Sequence, residues 1–232
     1  VMEREGIACM FMVPTMLNAI NQDETVRQRD WSKLKNIQIA ASPISDDTAL
    51  TAHEIFGDVL YQLYGQTECL PVAFMGPRQW FAEVEGSTPL RACGLALPFA
   101  ELEIWDEDNK RLSPGEVGEI VAKVDGQMEG FWNNPEATAE RLVDGWVKTG
   151  DVGYLDRNGY LYMVDRADDM IISGGYNIWP AELENVISDL GDVIEVAVFG
   201  IPHEKWGETP QAVCVVREGA AVTEDEIIRL CA

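Results

Sequence analysis

The run Tyr64-Gly65-Gln66-Thr67-Glu68 contains side chains that can bind a nucleotide. Gly65 lets the backbone turn sharply. The Thr67 hydroxyl can bond to a phosphate oxygen, and the Glu68 carboxylate is a hard ligand for Mg²⁺. The Tyr64 ring offers a flat face on which a nucleobase can stack. The run follows a predicted strand, and ligands bind at the carboxyl ends of strands in open α/β sheets. A strand-ending turn with a capping threonine is the alternative interpretation.

Two charged residues further along the chain are candidates for the sugar of the same kind of ligand. Asp151, in Thr149-Gly150-Asp151, can accept hydrogen bonds from adjacent ribose hydroxyls. Arg166 can reach the same ribose or a phosphate as a multidentate donor. The neighbouring Asp168 and Asp169 suit a solvated hinge. Taken alone, Asp151 is more often a turn residue, and the charged run at 165–169 is equally consistent with a surface linker.

A third group of candidates combines glycines with an aromatic side chain. Gly174 and Gly175 permit a positive φ or the close approach of a ligand, although a plain loop is the simpler interpretation. Trp206 lies in a polar segment, where its ring can stack on a ligand or cap the core.

The first of three segments, residues 1–88, is predicted to contain alternating strands and helices. Strands are expected at Ile7–Val13, Ile37–Ala40 and Val59–Tyr64. One helix opens at Pro14, and another is capped by Ser45 and runs to about Phe56. This order favours parallel strands with crossover helices, which is half of a doubly wound sheet.

The second segment, residues 89–168, is predicted to be a β-rich subdomain, either a small barrel or a curled sheet. Its strands are expected at Glu101–Trp105, Gly118–Val124, Trp146–Thr149 and Tyr160–Val164. The third segment, residues 169–232, is predicted to be a compact, mobile α+β unit, with a helix over Pro180–Leu190 and its last helix starting at Thr223 and cut off at Ala232.

Composition restricts the partners of the chain. Its 17 basic and 40 acidic residues give a net charge of −23, so the counterion-releasing basic face that nucleic acid requires is not expected. Any phosphate site must be local. Five scattered cysteines favour neither a zinc site nor a disulfide framework, and a reducing cytoplasm is the expected location. No apolar run is long enough to predict a membrane span.

The order of several short motifs resembles the adenylate-forming superfamily of acyl-CoA synthetases, firefly-type luciferases and peptide-synthetase adenylation domains. The resemblance covers nearly the whole chain and is most similar to the fatty-acyl and aryl-CoA ligase branch. It rests on these segments in sequence: Ala41-Ser42-Pro43-Ile44, Tyr64 to Glu68, Gly115 to Ile120, Gly130 to Pro135, Trp146 to Asp151, Asp165 to Ile171, Gly174 to Ile178 and Glu182-Leu183-Glu184.

The resemblance implies ATP, Mg²⁺ and coenzyme A as ligands and assigns a role to each matching position. It implies that Tyr64 packs on adenine with Ala41 and Ser42, that Thr67 contacts the α-phosphate and that Glu68 holds the metal. It places Asp151 and Arg166 at the ribose, and Asp168 at a hinge about which the C-terminal unit rotates. The remaining roles are the pantetheine tunnel, for Gly174, Gly175 and Trp206, and the acyl pocket, for Cys69, Leu70 and Val72.

Two parts of the superfamily pattern have no counterpart in these 232 residues. They are a glycine- and serine-rich phosphate loop, expected upstream of Val1, and a lysine expected downstream of Ala232. We therefore expect the isolated chain to form no adenylate at a useful rate, and we expect an exposed sheet edge that allows self-association. Asn177 also stands where several relatives carry an arginine that meets phosphate, which leaves that contact in question.

The expected function is ATP-dependent activation of a fatty or aryl acid and its transfer to coenzyme A. One alternative is an adenylating domain that loads a carrier protein. Another is a nucleotide-binding module without catalysis. The expected small-molecule partners are therefore a carboxylic acid, ATP and coenzyme A, and the chain can form a homo-oligomer.

Overall fold

The computed structural model describes residues 2–166 and 169–231, which form seven α-helices, two 3₁₀ turns and fourteen strands. The helices are α1 Met2–Glu5, α2 Pro14–Asn21, α3 Asp46–Phe56, α4 Pro77–Trp80, α5 Pro135–Arg141, α6 Pro180–Ser188 and α7 Glu224–Leu230. The strands are β1 Cys9–Met12, β2 Asn36–Ile39, β3 Leu60–Gln66, β4 Cys69–Met75, β5 Gly94–Ala96, β6 Glu101–Trp105, β7 Gly118–Lys123, β8 Leu142–Val143, β9 Trp146–Leu155, β10 Tyr160–Arg166, β11 Ile171–Ser173, β12 Tyr176–Ile178, β13 Val193–His203 and β14 Gly207–Val216.

The chain divides into two compact units. The first consists of Val1–Thr149 and Gly153–Met163, and the second of Gly150–Val152 and Val164–Ala232.

The parallel strands predicted for the beginning of the chain are confirmed. β1 pairs in parallel with β2, and β2 in parallel with β3, so that Met12, Ile39 and Gln62 lie side by side. The connections are helical, as the crossover between parallel strands requires. α2 begins at Pro14, which needs no backbone donor in the first turn of a helix.

Helix α3 shows why this part of the sequence folds as predicted. The Ser45 hydroxyl oxygen accepts a hydrogen bond from the Thr48 N–H at 3.2 Å, which caps the helix. The small side chains of Ala49 and Ala52 are fully buried against the apolar core that includes Ile37, Ile39 and Leu60. Burying each of the larger residues stabilises the fold by about 1.5–3 kcal/mol. The buried face of α3 therefore fixes the helix against the strands that carry the site.

The β-rich part of the chain continues the same sheet. The ten-stranded sheet has the order β1-β2-β3-β4-β5-β10-β9-β7-β6, with β8 paired to β9. β4 runs antiparallel to both β3 and β5, and β5 antiparallel to β10. The strand predicted at Glu101–Trp105 has the observed bounds of β6. The strand predicted at Trp146–Thr149 is the first part of a longer strand, β9.

A turn joins β9 to β10 and fixes a neighbouring loop. The Gly159 N–H donates to the Asp156 carbonyl at 3.1 Å, which closes the tight turn predicted at Asp156–Gly159. The Asp156 carboxylate also accepts hydrogen bonds from the hydroxyls of Ser87 and Tyr162, at 2.6 and 3.0 Å. The turn therefore holds the loop that precedes β5.

The second unit contains a four-stranded antiparallel sheet of order β12-β11-β14-β13. Its core is formed by Ile171, Ile187 and Val198, with α6 and α7 contributing partly buried side chains. A side chain of α6 satisfies one backbone donor of the edge strand β13, because Glu184 Oε1 accepts the Val198 N–H at 2.8 Å. That donor is then not available for pairing with another strand.

Candidate functional site

The end of β3 projects beyond its parallel neighbour. The last residue of β2, Ile39, pairs with Gln62, and β3 continues through Leu63 to Gln66. Ala41 and Ser42 follow the end of β2 at this same edge of the sheet. Ala41 has a φ of 78°, a left-handed conformation that costs a residue with a side chain about 1–2 kcal/mol. The structure thus brings Ala41, Ser42 and the end of β3 to the carboxyl edge of the parallel strands, where open α/β sheets bind ligands.

The predicted nucleotide motif forms the turn of the β3–β4 hairpin. Gln66 pairs with Cys69, which leaves Thr67 and Glu68 as the two turn residues. Gly65 has to lack a side chain, because a Cβ there would lie 2.6 Å from Leu70 Cδ1 and 3.0 Å from the Cys69 carbonyl oxygen. Close packing against Leu70 and Cys69 is therefore a second physical reason for glycine at this position, besides the turning role predicted for it.

Two hydrogen bonds hold this turn in the first unit. Gln66 Nε2 donates to the Thr149 carbonyl at 2.9 Å, and the Met128 N–H donates to the Glu68 carbonyl at 2.7 Å. Thr149 in turn donates its hydroxyl to the Ile120 carbonyl at 2.7 Å. The backbone at Thr67 and Glu68 is therefore fixed, while the Thr67 side chain is exposed to solvent.

The side chains of Tyr64 and Glu68 differ in the contacts that they already make within the protein. Tyr64 is half-buried and packs against two apolar clusters, one with Val72 and Ala122 and the other with Ile120 and Leu161. Glu68 is also half-buried, and its carboxylate forms no ion pair with any residue that the structure describes. Within residues 2–166 and 169–231, no three His, Cys, Asp or Glu side chains converge as a metal site. A single carboxylate suits Mg²⁺ that is held mainly by substrate phosphates.

The three residues assigned to the acyl group have different environments. Cys69 and Val72 are fully buried and pack with Ala122, Val124 and Val147. Leu70 is 47% exposed. In the described structure Leu70 is therefore the exposed member of the three, and the other two belong to the apolar core.

The ribose candidates of the second unit form an ion pair. Asp151 is 6% exposed, and its Oδ1 lies 3.7 Å from Nε of Arg166, whose side chain is half-exposed. The two carboxylate oxygens of Asp151 can accept hydrogen bonds from two adjacent hydroxyls.

Asp165 is a residue whose role the sequence analysis missed. It was assigned to a charged junction, but its side chain is buried. Its Oδ1 accepts the Arg166 N–H at 2.7 Å, and its Oδ2 accepts the Ala181 N–H at 2.9 Å, in the first turn of α6. It therefore fixes the Arg166 backbone to a helix. The predicted hinge, Asp168, lies outside the described residues.

The coenzyme A candidates pack together in the second unit. The Gly174 N–H donates to the Trp206 carbonyl at 2.8 Å. A Cβ on Gly174 would lie 2.7 Å from Cε3 of the indole, so the missing side chain makes room for the ring. Trp206 is nevertheless 45% exposed, and a Cβ on Gly175 would meet no atom within 4 Å. The ring and the two glycines thus form a surface that is open on one side.

No helix in the part of the chain that the structure describes is long and apolar enough to cross a membrane.

Two family models match the chain. The model described as AMP-binding enzyme matches residues 1–132, and the model described as AMP-binding enzyme C-terminal domain matches residues 182–232.

Individual relatives agree with these matches. The names of the two relatives below both contain an acyl group or its acid, but one names coenzyme A as the acceptor and the other an acyl-carrier protein. A feruloyl-CoA synthase from an Amycolatopsis species is 38% identical over 226 residues, which are 97% of this chain and 45% of the relative. The fatty acid–[acyl-carrier-protein] ligase ScoC from Streptomyces coeruleorubidus is 36% identical over 220 residues, 92% of this chain and 41% of the relative. The chain therefore spans less than half the length of these curated relatives.

A solved structure has the same fold over nearly the whole chain. The amide bond synthetase McbA from Marinactinospora thermotolerans superimposes with a TM-score of 0.89 at 33% identity, covering 99% of this chain and 46% of that protein.

Proposed function

We propose, since the chain belongs to the AMP-binding enzyme family, that the protein activates a fatty or aryl carboxylic acid with ATP and transfers the acyl group to coenzyme A. In the first step a carboxylate oxygen attacks the α-phosphorus of ATP, giving acyl-AMP and pyrophosphate. In the second step the thiol sulfur attacks the acyl carbonyl carbon, the thiol proton is lost and AMP leaves.

The observation that carries this proposal is the extension of β3 past the end of β2 at the carboxyl edge of the parallel strands. It leaves Ala41 and Ser42 beside a hairpin whose turn residues, Thr67 and Glu68, are fixed through their backbone. Polar groups that are held in place need little reorganisation when charge develops on a phosphate.

Each residue of this edge has a role that its chemistry suits. The exposed Thr67 hydroxyl donates to an α-phosphate oxygen, which stabilises the negative charge of the transition state. Tyr64 offers the edge or the remaining face of its ring to adenine, beside the backbone of Ala41 and Ser42, and Gln66 keeps the turn in place. In the second unit, Asp151 accepts hydrogen bonds from the ribose hydroxyls, and Arg166 forms an ion pair with that carboxylate.

Glu68 is the residue that would hold the metal. Its carboxylate has no ion pair with a described residue, and a Mg²⁺ ion bound there would supply positive charge to the phosphates of the substrate. What the protein itself contributes is the position of the carboxylate, because the Met128 N–H fixes the Glu68 carbonyl.

The thiol is the ligand that we assign to the second unit. Gly175 leaves room for a narrow pantetheine arm, Gly174 lets the Trp206 ring approach the backbone, and the exposed face of Trp206 packs along the arm. In the first unit, Leu70 contacts the acyl group, with Cys69 and Val72 beneath it. Asp168 belongs to the proposal as the hinge, on the resemblance alone.

The test measures pyrophosphate release by the full-length gene product with ATP, Mg²⁺, coenzyme A and a panel of aryl and fatty acids. Release that depends on one class of acid, with a thioester product, supports the proposal and names the substrate. No release with any acid, in a protein that binds ATP, contradicts it and favours a binding module without catalysis.

Loading of a carrier protein is a second candidate, which the similarity to the carrier-protein ligase favours. The same assay distinguishes it, because that enzyme would form acyl-adenylate without a coenzyme A thioester. A cytoplasmic location is also part of the proposal, since the five cysteines are scattered along the sequence without the spacing of a disulfide framework. Self-association is a further expectation, which sedimentation velocity would test.

A further inference from the structure

Lys205 differs from the other cations of the second unit. The basic residues among its described parts, 150–152, 164–166 and 169–231, are Arg166, Lys205, Arg217 and Arg229. Arg166 pairs with a carboxylate, and the other two arginines donate through Nε to backbone carbonyl oxygens at 3.1 and 2.9 Å. Lys205 Nζ forms no hydrogen bond or ion pair with a described oxygen and lies 4.3 Å from the centroid of the Trp206 ring.

The turn that carries Lys205 is fixed by its backbone. His203 Nδ1 accepts the N–H groups of Lys205 and Trp206, at 3.2 and 3.3 Å. The Trp206 carbonyl accepts the Gly174 N–H. Lys205 is therefore anchored at its main chain and at the indole, while its ammonium group remains exposed and available to a ligand.

The surroundings make an available cation unusual. The chain carries a net charge of −23, so a phosphate that approaches it is repelled. A cation that lies on an aromatic ring can offset that repulsion locally. It attracts the anion without first having to break an ion pair with a protein carboxylate. The ring beneath Lys205 also covers Gly174, beside the open space at Gly175.

We propose that Lys205 binds a phosphate group of the acyl acceptor and so selects coenzyme A over an acceptor that has the same thiol without phosphates. This inference rests on the proposed function. The selection of coenzyme A is thereby assigned to the turn between β13 and β14. The role of Trp206 is to hold the ammonium group of Lys205 in place.

The experiment compares coenzyme A with pantetheine, which carries the thiol arm but no phosphate, as acceptors for the full-length protein. We expect Lys205→Ala to raise KM for coenzyme A about fivefold, which is the size of effect that the loss of one exposed ion pair produces. The KM for pantetheine should stay unchanged. Lys205→Arg should restore the wild-type value. Arg229→Gln removes the same charge from the same unit and is the matched control, for which we expect no change.

The result that would overturn the proposal is an equal change in KM for both acceptors, or no change with coenzyme A. Pyrophosphate release without acceptor separates this failure from that of the proposed function, because it reports acid activation alone. A titration of the 232-residue chain, followed by the indole N–H signal of Trp206, gives a readout without catalysis. Coenzyme A should shift that signal at a lower concentration than pantetheine, and Lys205→Ala should abolish the difference.

Discussion

Asp151 combines burial with a charge, and this combination makes its substitution informative. We predict that Asp151→Asn lowers the affinity for ATP about tenfold or more. The amide nitrogen donates rather than accepts, so one charge-assisted hydrogen bond to a ribose hydroxyl is lost, worth about 1.5–3 kcal/mol. The measurement is KM for ATP in the full-length protein. Asp189→Asn removes an exposed carboxylate from the same unit as a control. An unchanged KM in Asp151→Asn would remove Asp151 from the nucleotide site.

Asp156 has a structural role that pH reveals. Burial raises the pKa of its carboxyl group, but hydrogen bonds from Ser87, Tyr160, Tyr162 and Asn158 outweigh that effect and hold the pKa below its usual value. Burial in turn raises the pKa of Tyr162 to about 12, so this phenol remains a donor at neutral pH.

A depressed pKa stabilises the fold above the unfolded value of about 3.9, and this contribution is lost as the pH falls through the lower folded value. We therefore predict that Asp156→Asn is less stable than the wild type at pH 7 and that the difference shrinks below about pH 4. Urea unfolding at several pH values measures it. A difference that stays constant down to pH 2.5 would contradict the assignment, and Asp189→Asn again serves as the control.

Strand β5 can join the sheet because Gly94 has no side chain. Gly94 has a φ of 134°, and a Cβ there would lie 2.7–3.0 Å from the backbone of Phe74. We predict that Gly94→Ala costs about 3 kcal/mol or more, because β4 and β5 would have to separate. Gly145→Ala is the matched control: it has a φ of 83° with nothing within 4 Å, so only backbone strain of about 1 kcal/mol applies. Chemical denaturation compares the two, and equal costs would mean that the sheet adapts.

The local elements of this chain and the parallel strands of its first segment could be predicted from the sequence, whereas the antiparallel pairing of β4 with β3 and β5 could not. The cap at Ser45 and the proline at the start of α2 are signals carried by neighbouring residues. β4, by contrast, was not predicted, because Cys69–Met75 contains a proline and no polar alternation. Its place between β3 and β5 depends on pairing with β5, whose residues lie about twenty positions further along the chain.

The candidate site shows the same distinction. The motif from Tyr64 to Glu68 was visible as a set of residue types after a strand. The burial of Cys69 and Val72, and the contact between Asp165 and α6, follow from packing between distant segments. No local pattern distinguishes a carboxylate that binds a ligand from one that caps a helix, and so Asp165 was missed.

The charge of the whole molecule predicts its response to salt. A net charge of −23 destabilises the compact state through repulsion among its carboxylates. We predict that the melting temperature rises as NaCl increases from 0.05 to about 0.5 M and then levels off, because the screening length falls to about 3 Å at 1 M. Differential scanning fluorimetry measures this. A continued linear rise beyond 1 M would indicate exclusion of salt from the surface in place of screening.

The close approach of the Leu70 side chain to Gly65 limits how the substrate range of this protein could be altered in the laboratory or over evolutionary time. A library at position 70 can vary the residue that we propose contacts the acyl group. Position 65 offers no compensating change, since the Cys69 carbonyl would meet any side chain there even if Leu70 were shortened. Near the tip of this hairpin, position 70 can therefore vary while position 65 cannot. Glycine at 65 should be retained in descendants that carry a different residue at 70.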